Sequence, residues 1–242
     1  MNLTHQIIEY QSKGAAHRGY LAWDADVKTR RPGIIVIHEW WGLDAHMRGR
    51  ADQLARQGYC AFAIDMYGDG RVAENLEQAK EASGVVYGDM EMGAARLQAG
   101  YDALLQQPQV DAERTAAIGY CFGGAMVLHM ARIGLPLRAV ASFHGALRSH
   151  HQPVVGQVKA RVLVCHGGDD AMVSMDDVAA FKQEMDDAGA DYEVIVHAGA
   201  QHGFTNKQAD VNAEKYGIAV GYNAQAQRES WAAMTALFER SF

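Results

Sequence analysis

The segment Gly119-Tyr120-Cys121-Phe122-Gly123-Gly124 has the pattern of a nucleophile elbow, glycine–any–nucleophile–any–glycine, with cysteine as the nucleophile. It follows an apolar run expected to be a strand and opens a stretch expected to be a helix, the context the pattern requires. The glycines have a steric purpose. So tight a turn leaves no room for side chains at 119 and 123, and it strains the middle residue, which then stands above the sheet. A helix N-terminus beneath Cys121 favours negative charge and raises the thiolate fraction of a group whose ordinary pKa is about 8.5. Cys60 and Cys165 lie inside apolar strand patterns, where cysteine acts as a small hydrophobe.

A nucleophile on such a turn is followed in chain order by an acid and then a histidine. The run Arg161–Cys165 leads into His166-Gly167-Gly168-Asp169-Asp170-Ala171-Met172-Val173, which offers two adjacent acids. The run Tyr192–Val196 leads to Gly199-Ala200-Gln201-His202-Gly203-Phe204, a glycine-flanked loop able to reach back over a sheet. On the residues alone Asp169 and Asp170 both remain open. So do His197, which ends a strand pattern, and His166, which precedes the acid loop, beside His202. His144 with His150 and His151 lacks zinc-site spacing, and His38-Glu39 begins a zincin-like pattern whose next histidine, His46, comes too late. No metal and no cofactor is expected.

The elements that must position these residues alternate. Runs 5–11 and 17–23, separated by Ser12-Lys13-Gly14, predict an antiparallel hairpin. Gly33–Ile37 and Cys60–Ile64 are near-continuous apolar runs, the mark of strands buried on both faces, with a helix over 45–57 capped by Asp44 between them. Helices are predicted over about 72–82, 90–106, 121–132, 176–187 and 224–238, and strands over about 115–119, 137–143, 161–165 and 192–196. This is an α/β fold with a doubly wound, mostly parallel sheet and an N-terminal antiparallel hairpin, in which ligands sit beyond the carboxyl ends of the strands. Cys121, the acid pair and His202 all follow predicted strands.

The 242 residues carry a formal net charge of −7 and no basic stripe, so neither nucleic acid nor an anionic membrane surface is an expected partner. No linker or repeat divides the chain, and a single domain over 1–242 is expected. The start, MNLTHQIIEY, lacks the basic and long apolar segments of a secretory signal. With three cysteines, an odd and low count, the expected setting is the reducing cytoplasm. Oligomeric partners are not legible.

Five pieces together resemble the dienelactone hydrolase family: His38-Glu39-Trp40-Trp41-Gly42, Asp65-Met66-Tyr67-Gly68, the Gly-Tyr-Cys-Phe-Gly-Gly elbow, Asp170-Ala171-Met172-Val173 and His202-Gly203-Phe204. The resemblance spans essentially the whole chain and implies an α/β-hydrolase fold. It also implies a triad of Cys121, Asp170 and His202, choosing Asp170 because the family's acid stands three residues before a valine-like position. It gives Glu39 contact with the resting thiol, and gives the backbone N–H groups of Trp40 and Phe122 the oxyanion. Trp41 and Lys207 become candidate substrate contacts. The implied activity is cleavage of a small ester or lactone through an acyl-enzyme. The alternatives are a redox-sensing thiol protein and a catalytically silent binding protein on the same fold. One segment departs from the family. Members acting on anionic dienelactone hold its carboxylate with arginines, whereas here the histidine loop continues Thr205-Asn206-Lys207 and the stretch after Arg71 carries Glu74, Glu77 and Glu81. A neutral substrate is expected.

Overall fold

The structure is a computed structural model describing residues 1–242. Lys13 and Gly14, with φ of 45° and 83°, make the tight turn whose twist suits a two-residue hairpin. They join β1 (Leu3–Ser12) to β2 (Ala15–Asp24), antiparallel in register from Leu3↔Asp24 to Ser12↔Ala15. The apolar runs that follow form β3 (Arg31–Ile37) and β4 (Cys60–Ile64), parallel from Gly33↔Cys60 to Ile37↔Ile64. Their inner residues are buried throughout, as strands covered on both faces must be. Between them lies α1 (Ala45–Arg56), whose N-cap Asp44 accepts from the Met47 N–H at 3.0 Å.

The next helix departs from the sequence expectation. It is α2 (Leu76–Gly88), beginning four residues after Val72. Val72 is held in an antiparallel bridge with Gly42, and the Asn75 side chain caps the helix by accepting from the Gln78 N–H. Asp89 then ends α2 and caps α3 (Met90–Leu105). The fifth strand, β5 (Val110–Tyr120), starts five residues earlier than expected, because its first residues carry charges at Asp111, half-buried, and Glu113, exposed, that read as loop.

The remaining elements are α4 (Phe122–Arg132), β6 (Ala139–Phe143), β7 (Arg161–Gly167), α5 (Met175–Asp187), β8 (Tyr192–His197), α6 (Ala209–Tyr216) and α7 (Ala224–Ser241). Strands β6, β7 and β8 pair in parallel. Helix α6 is absent from the sequence expectation. Only Ala209 is buried in it, so it has no apolar stripe to read. Helix α4 is buried along its whole length. Its last residue, Arg132, donates through Nε and Nη2 to both carboxylate oxygens of Glu184 in α5, each at 2.8 Å, and to the Leu147 carbonyl at 2.7 Å. The eight strands form one sheet in the order β1-β2-β4-β3-β5-β6-β7-β8, and β2 pairs antiparallel with β4. By internal contacts the chain divides into two compact units, Met1–Ile118 and Gly119–Phe242.

Candidate active site

Cys121 occupies the junction of β5 and α4, at φ 52° and ψ −115°. This is left-handed backbone that a residue with a Cβ adopts only when its surroundings impose it. Two glycines show what imposes it. A Cβ at Gly119 would lie 2.0 Å from the Gly123 carbonyl oxygen, and one at Gly124 would lie 2.7 Å from the Gly145 Cα. The strand end, the helix start and the turn after β6 are packed too closely for side chains. The Cys121 side chain is half-buried.

Two loops deliver partners to the sulfur. His202, on the loop after β8, places Nε2 3.1 Å from Cys121 Sγ and Nδ1 2.9 Å from Asp170 Oδ2. The other carboxylate oxygen of Asp170 accepts from the N–H groups of Met172 and Val173 at 2.8 and 3.0 Å. The turn after β7 therefore fixes Asp170 before it meets the imidazole. Asp169 is exposed, and its N–H donates to the Ala200 carbonyl. Of the two acids, the structure brings only Asp170 to His202.

Burial works against ionising Asp170, but the His202 hydrogen bond and charge and the two backbone N–H donors outweigh it and hold the carboxyl below its ordinary range. Burial likewise opposes charge on His202. The Cys121 sulfur and Asp170 more than compensate, and its pKa is raised to about 10. The other two candidate histidines make no hydrogen bond to Cys121. His197 is buried at the end of β8 with Nδ1 3.3 Å from Glu229, and burial pushes His166, inside β7, towards the neutral form. Burial also pushes the Cys60 thiol up to about 12 and that of Cys165 upward, so both are kept as inert thiols.

In the first unit, Glu39, Trp40 and Trp41 follow β3. Glu39 is buried. Trp40 is held by its carbonyl, which accepts from the Tyr67 hydroxyl at 2.9 Å, and its ring meets that of Trp41 edge to face at 5.6 Å. The Trp41 carbonyl accepts from the Ala73 N–H at 2.8 Å. Asp65 turns the next corner, accepting from the N–H groups of Tyr67, Gly68 and Gly70. Lys207 is exposed, two residues before α6. Phe122 begins α4 and is buried. One residue that sequence reasoning weighed only as a metal ligand, His144, stands against both Cys121 and His202. Its position one residue past a strand's carboxyl end was the available signal.

This arrangement, on a mostly parallel sheet with an antiparallel hairpin at its start, is that of an α/β-hydrolase fold. The chain belongs to the dienelactone hydrolase family, whose family model matches residues 17–242. Among solved structures, a dienelactone hydrolase-like promiscuous phosphotriesterase from metagenomic libraries is 36% identical, with a TM-score of 0.93 and full coverage of both chains. Among curated relatives, the protein usf of Aquifex pyrophilus is 28% identical over 210 residues, 85% of this chain and 89% of its own. An uncharacterized Caenorhabditis elegans protein is 37% identical over 157 residues, 61% of this chain and 92% of its own.

Proposed function

We propose that the protein hydrolyses small carboxylic esters or lactones with Cys121 as nucleophile, His202 as acid–base and Asp170 as the orienting carboxylate. The observation that carries this reading is the continuous path Cys121 Sγ–His202 Nε2, 3.1 Å, and His202 Nδ1–Asp170 Oδ2, 2.9 Å. His202 holds the thiol proton, and the thiolate attacks the acyl carbonyl. The tetrahedral oxyanion is met by the Phe122 N–H at the start of α4, a donor of the kind worth about 2.7–4 kcal/mol in the transition state. Collapse returns the proton from His202 to the leaving alkoxide. His202 then takes a proton from water, whose oxygen attacks the thioester. The acid departs and the thiol is restored. Asp170 holds the tautomer that keeps Nε2 towards the sulfur throughout. Glu39 and the Trp40 N–H take the roles that the family resemblance gives them; Trp41 is a candidate substrate contact, and Lys207, on the loop where family members carry an arginine, is one only as a flexible point charge. The free thiols support a reducing, cytoplasmic setting. A redox sensor needs a reachable resolving thiol, and both other cysteines are buried.

The test is turnover of p-nitrophenyl acetate by wild type, Cys121→Ala, Cys60→Ala and Cys165→Ala. Only Cys121→Ala should lose activity. Activity retained in Cys121→Ala would refute the reading.

A second reading is supported by the 36% identical phosphotriesterase relative: slow turnover of neutral phosphate triesters at the same thiol. The thiolate would attack phosphorus and expel the aryloxide, leaving a phosphoryl thioester for water to cleave. Paraoxon is the probe. Release of p-nitrophenol that persists in Cys121→Ala would exclude this route.

A further inference from the structure

His144 lies one residue past the end of β6, and the chemistry above makes no use of it. Its side chain is wholly buried, and its backbone is left-handed at φ 41°, uncommon for a residue with a Cβ. Its N–H donates to the Cys165 carbonyl at 2.8 Å, tying the turn to β7. From there the ring reaches both members of the reacting pair. Nδ1 accepts from the Cys121 N–H at 3.2 Å, and Nε2 lies 2.8 Å from Thr205 Oγ1, in the loop that carries His202. The ring also packs against the His202 ring at 5.2 Å and the Phe204 ring at 5.1 Å, both at steep angles.

These contacts set the tautomer. A backbone N–H can only donate, so Nδ1 carries no proton. In the neutral ring the proton is then on Nε2, which donates to Thr205. The Cys121 N–H has a second acceptor, the Phe143 carbonyl at 3.0 Å. Strained backbone persists only where its surroundings over-determine it, and two acceptors from adjacent residues on one N–H do that for Cys121. The Phe122 N–H belongs to the next peptide, which the φ and ψ of Cys121 orient relative to the held one.

We infer that His144 is a positioning residue: through Nδ1 it holds the Cys121 elbow, and through Thr205 and ring contact it seats the His202 imidazole. The inference rests on the hydrolase reading above, and it predicts effects on kcat rather than on substrate binding.

Four variants separate its parts. Asparagine carries an amide oxygen where histidine has Nδ1, and it tolerates positive φ. Glutamine instead carries its amide nitrogen near the Nε2 position. Phenylalanine keeps the ring volume without polar atoms, and Thr205→Val removes the far partner. The readouts are kcat and KM for p-nitrophenyl acetate, and the rate of Cys121 alkylation by iodoacetamide in folded protein. His144→Phe should lower kcat and the alkylation rate by about tenfold or more with KM within about threefold, the scale of losing two buried hydrogen bonds at once, the Cys121 N–H to Nδ1 and Nε2 to Thr205. His144→Asn should return both to within about threefold of wild type, His144→Gln should not, and Thr205→Val should lower kcat by about threefold or more. The inference is overturned by a folded His144→Phe with wild-type kcat, by glutamine matching asparagine, or by an unchanged kcat in Thr205→Val. If His144→Phe fails to fold, the asparagine–glutamine ranking decides. Wild-type turnover surviving in Cys121→Ala sinks the hydrolase reading instead, and the alkylation ranking then judges His144 by itself.

Discussion

At the scale of residues, the acid pair is separated by where each carboxylate can go. Asp170 is turned inward, its Oδ1 occupied by two backbone N–H groups and its Oδ2 by His202, while Asp169 faces solvent. Asp170→Asn should therefore lower kcat by about 10³–10⁴-fold, as loss of the orienting carboxylate does in other triads, and Asp169→Asn should leave it nearly unchanged. Steady-state kinetics of the two variants checks this, and the opposite ranking would reassign the acid. The raised pKa of His202 also has a consequence for stability. Its unfolded value is about 6.5 and its folded value about 10, so the stabilisation is complete below the first and disappears as pH rises through the second. Urea unfolding of wild type and His202→Gln should show a gap at pH 6 that closes by about pH 10.5. A gap that widened with pH would show that His202 is buried neutral. The strand pattern placed Cys121, the acid pair and the candidate histidines beyond strand ends, and the family resemblance chose Asp170 and His202, the pair that the structure brings to Cys121. The residue pattern alone left Asp169, His166 and His197 standing. Side-chain direction separates them, and adjacent loop residues carry no sequence mark of which one points inward. His144 went unrecognised for the same reason: a lone histidine after a strand has no motif.

At the scale of elements, the elbow depends on the buried α4 being locked in place. Arg132 and Glu184 do part of this, with every guanidinium contact in the pair charge-assisted and hidden from water. Removing one partner leaves an uncompensated buried charge, so Glu184→Ala should cost about 3–5 kcal/mol of stability. Denaturant unfolding measures it, and a loss under about 1 kcal/mol would show that water or a neighbour takes over the guanidinium. Elements were legible where burial is one-sided or complete. β4 matched its apolar run residue for residue, and α1 matched its Asp44 cap. The sequence failed where a long-range contact set the boundary. Val72 has a helix-compatible neighbourhood but spends its backbone on Gly42, and α6 forms with one buried residue. Neither fact has a periodic signature.

At the scale of the whole molecule, charge bears on substrate choice. The chain carries −7, the stretch after Arg71 is acidic, and Arg71 itself pairs with Glu81. Arg96 is turned to the Met66 carbonyl. An anionic substrate must shed hydration and needs a fixed cation in exchange, and a flexible, exposed lysine at 207 is a weak one. The expected outcome is a kcat/KM for a neutral lactone at or above that for dienelactone. An advantage for dienelactone of more than about tenfold, roughly 1.4 kcal/mol, would contradict it, and loss of that advantage in Lys207→Ala would identify the missing clamp.

The proposed mechanism rests on a covalent bond between the substrate acyl group and one sulfur. Acid quenching during turnover of p-nitrophenyl acetate, followed by peptide mass spectrometry, reads that bond directly. An acetyl mass is expected on the peptide bearing Cys121, accumulating in Asp170→Asn if deacylation slows more than acylation, and absent from Cys121→Ala. An acetyl group found instead on Cys60, Cys165 or a serine, or turnover with no acylated peptide in any variant, would contradict it.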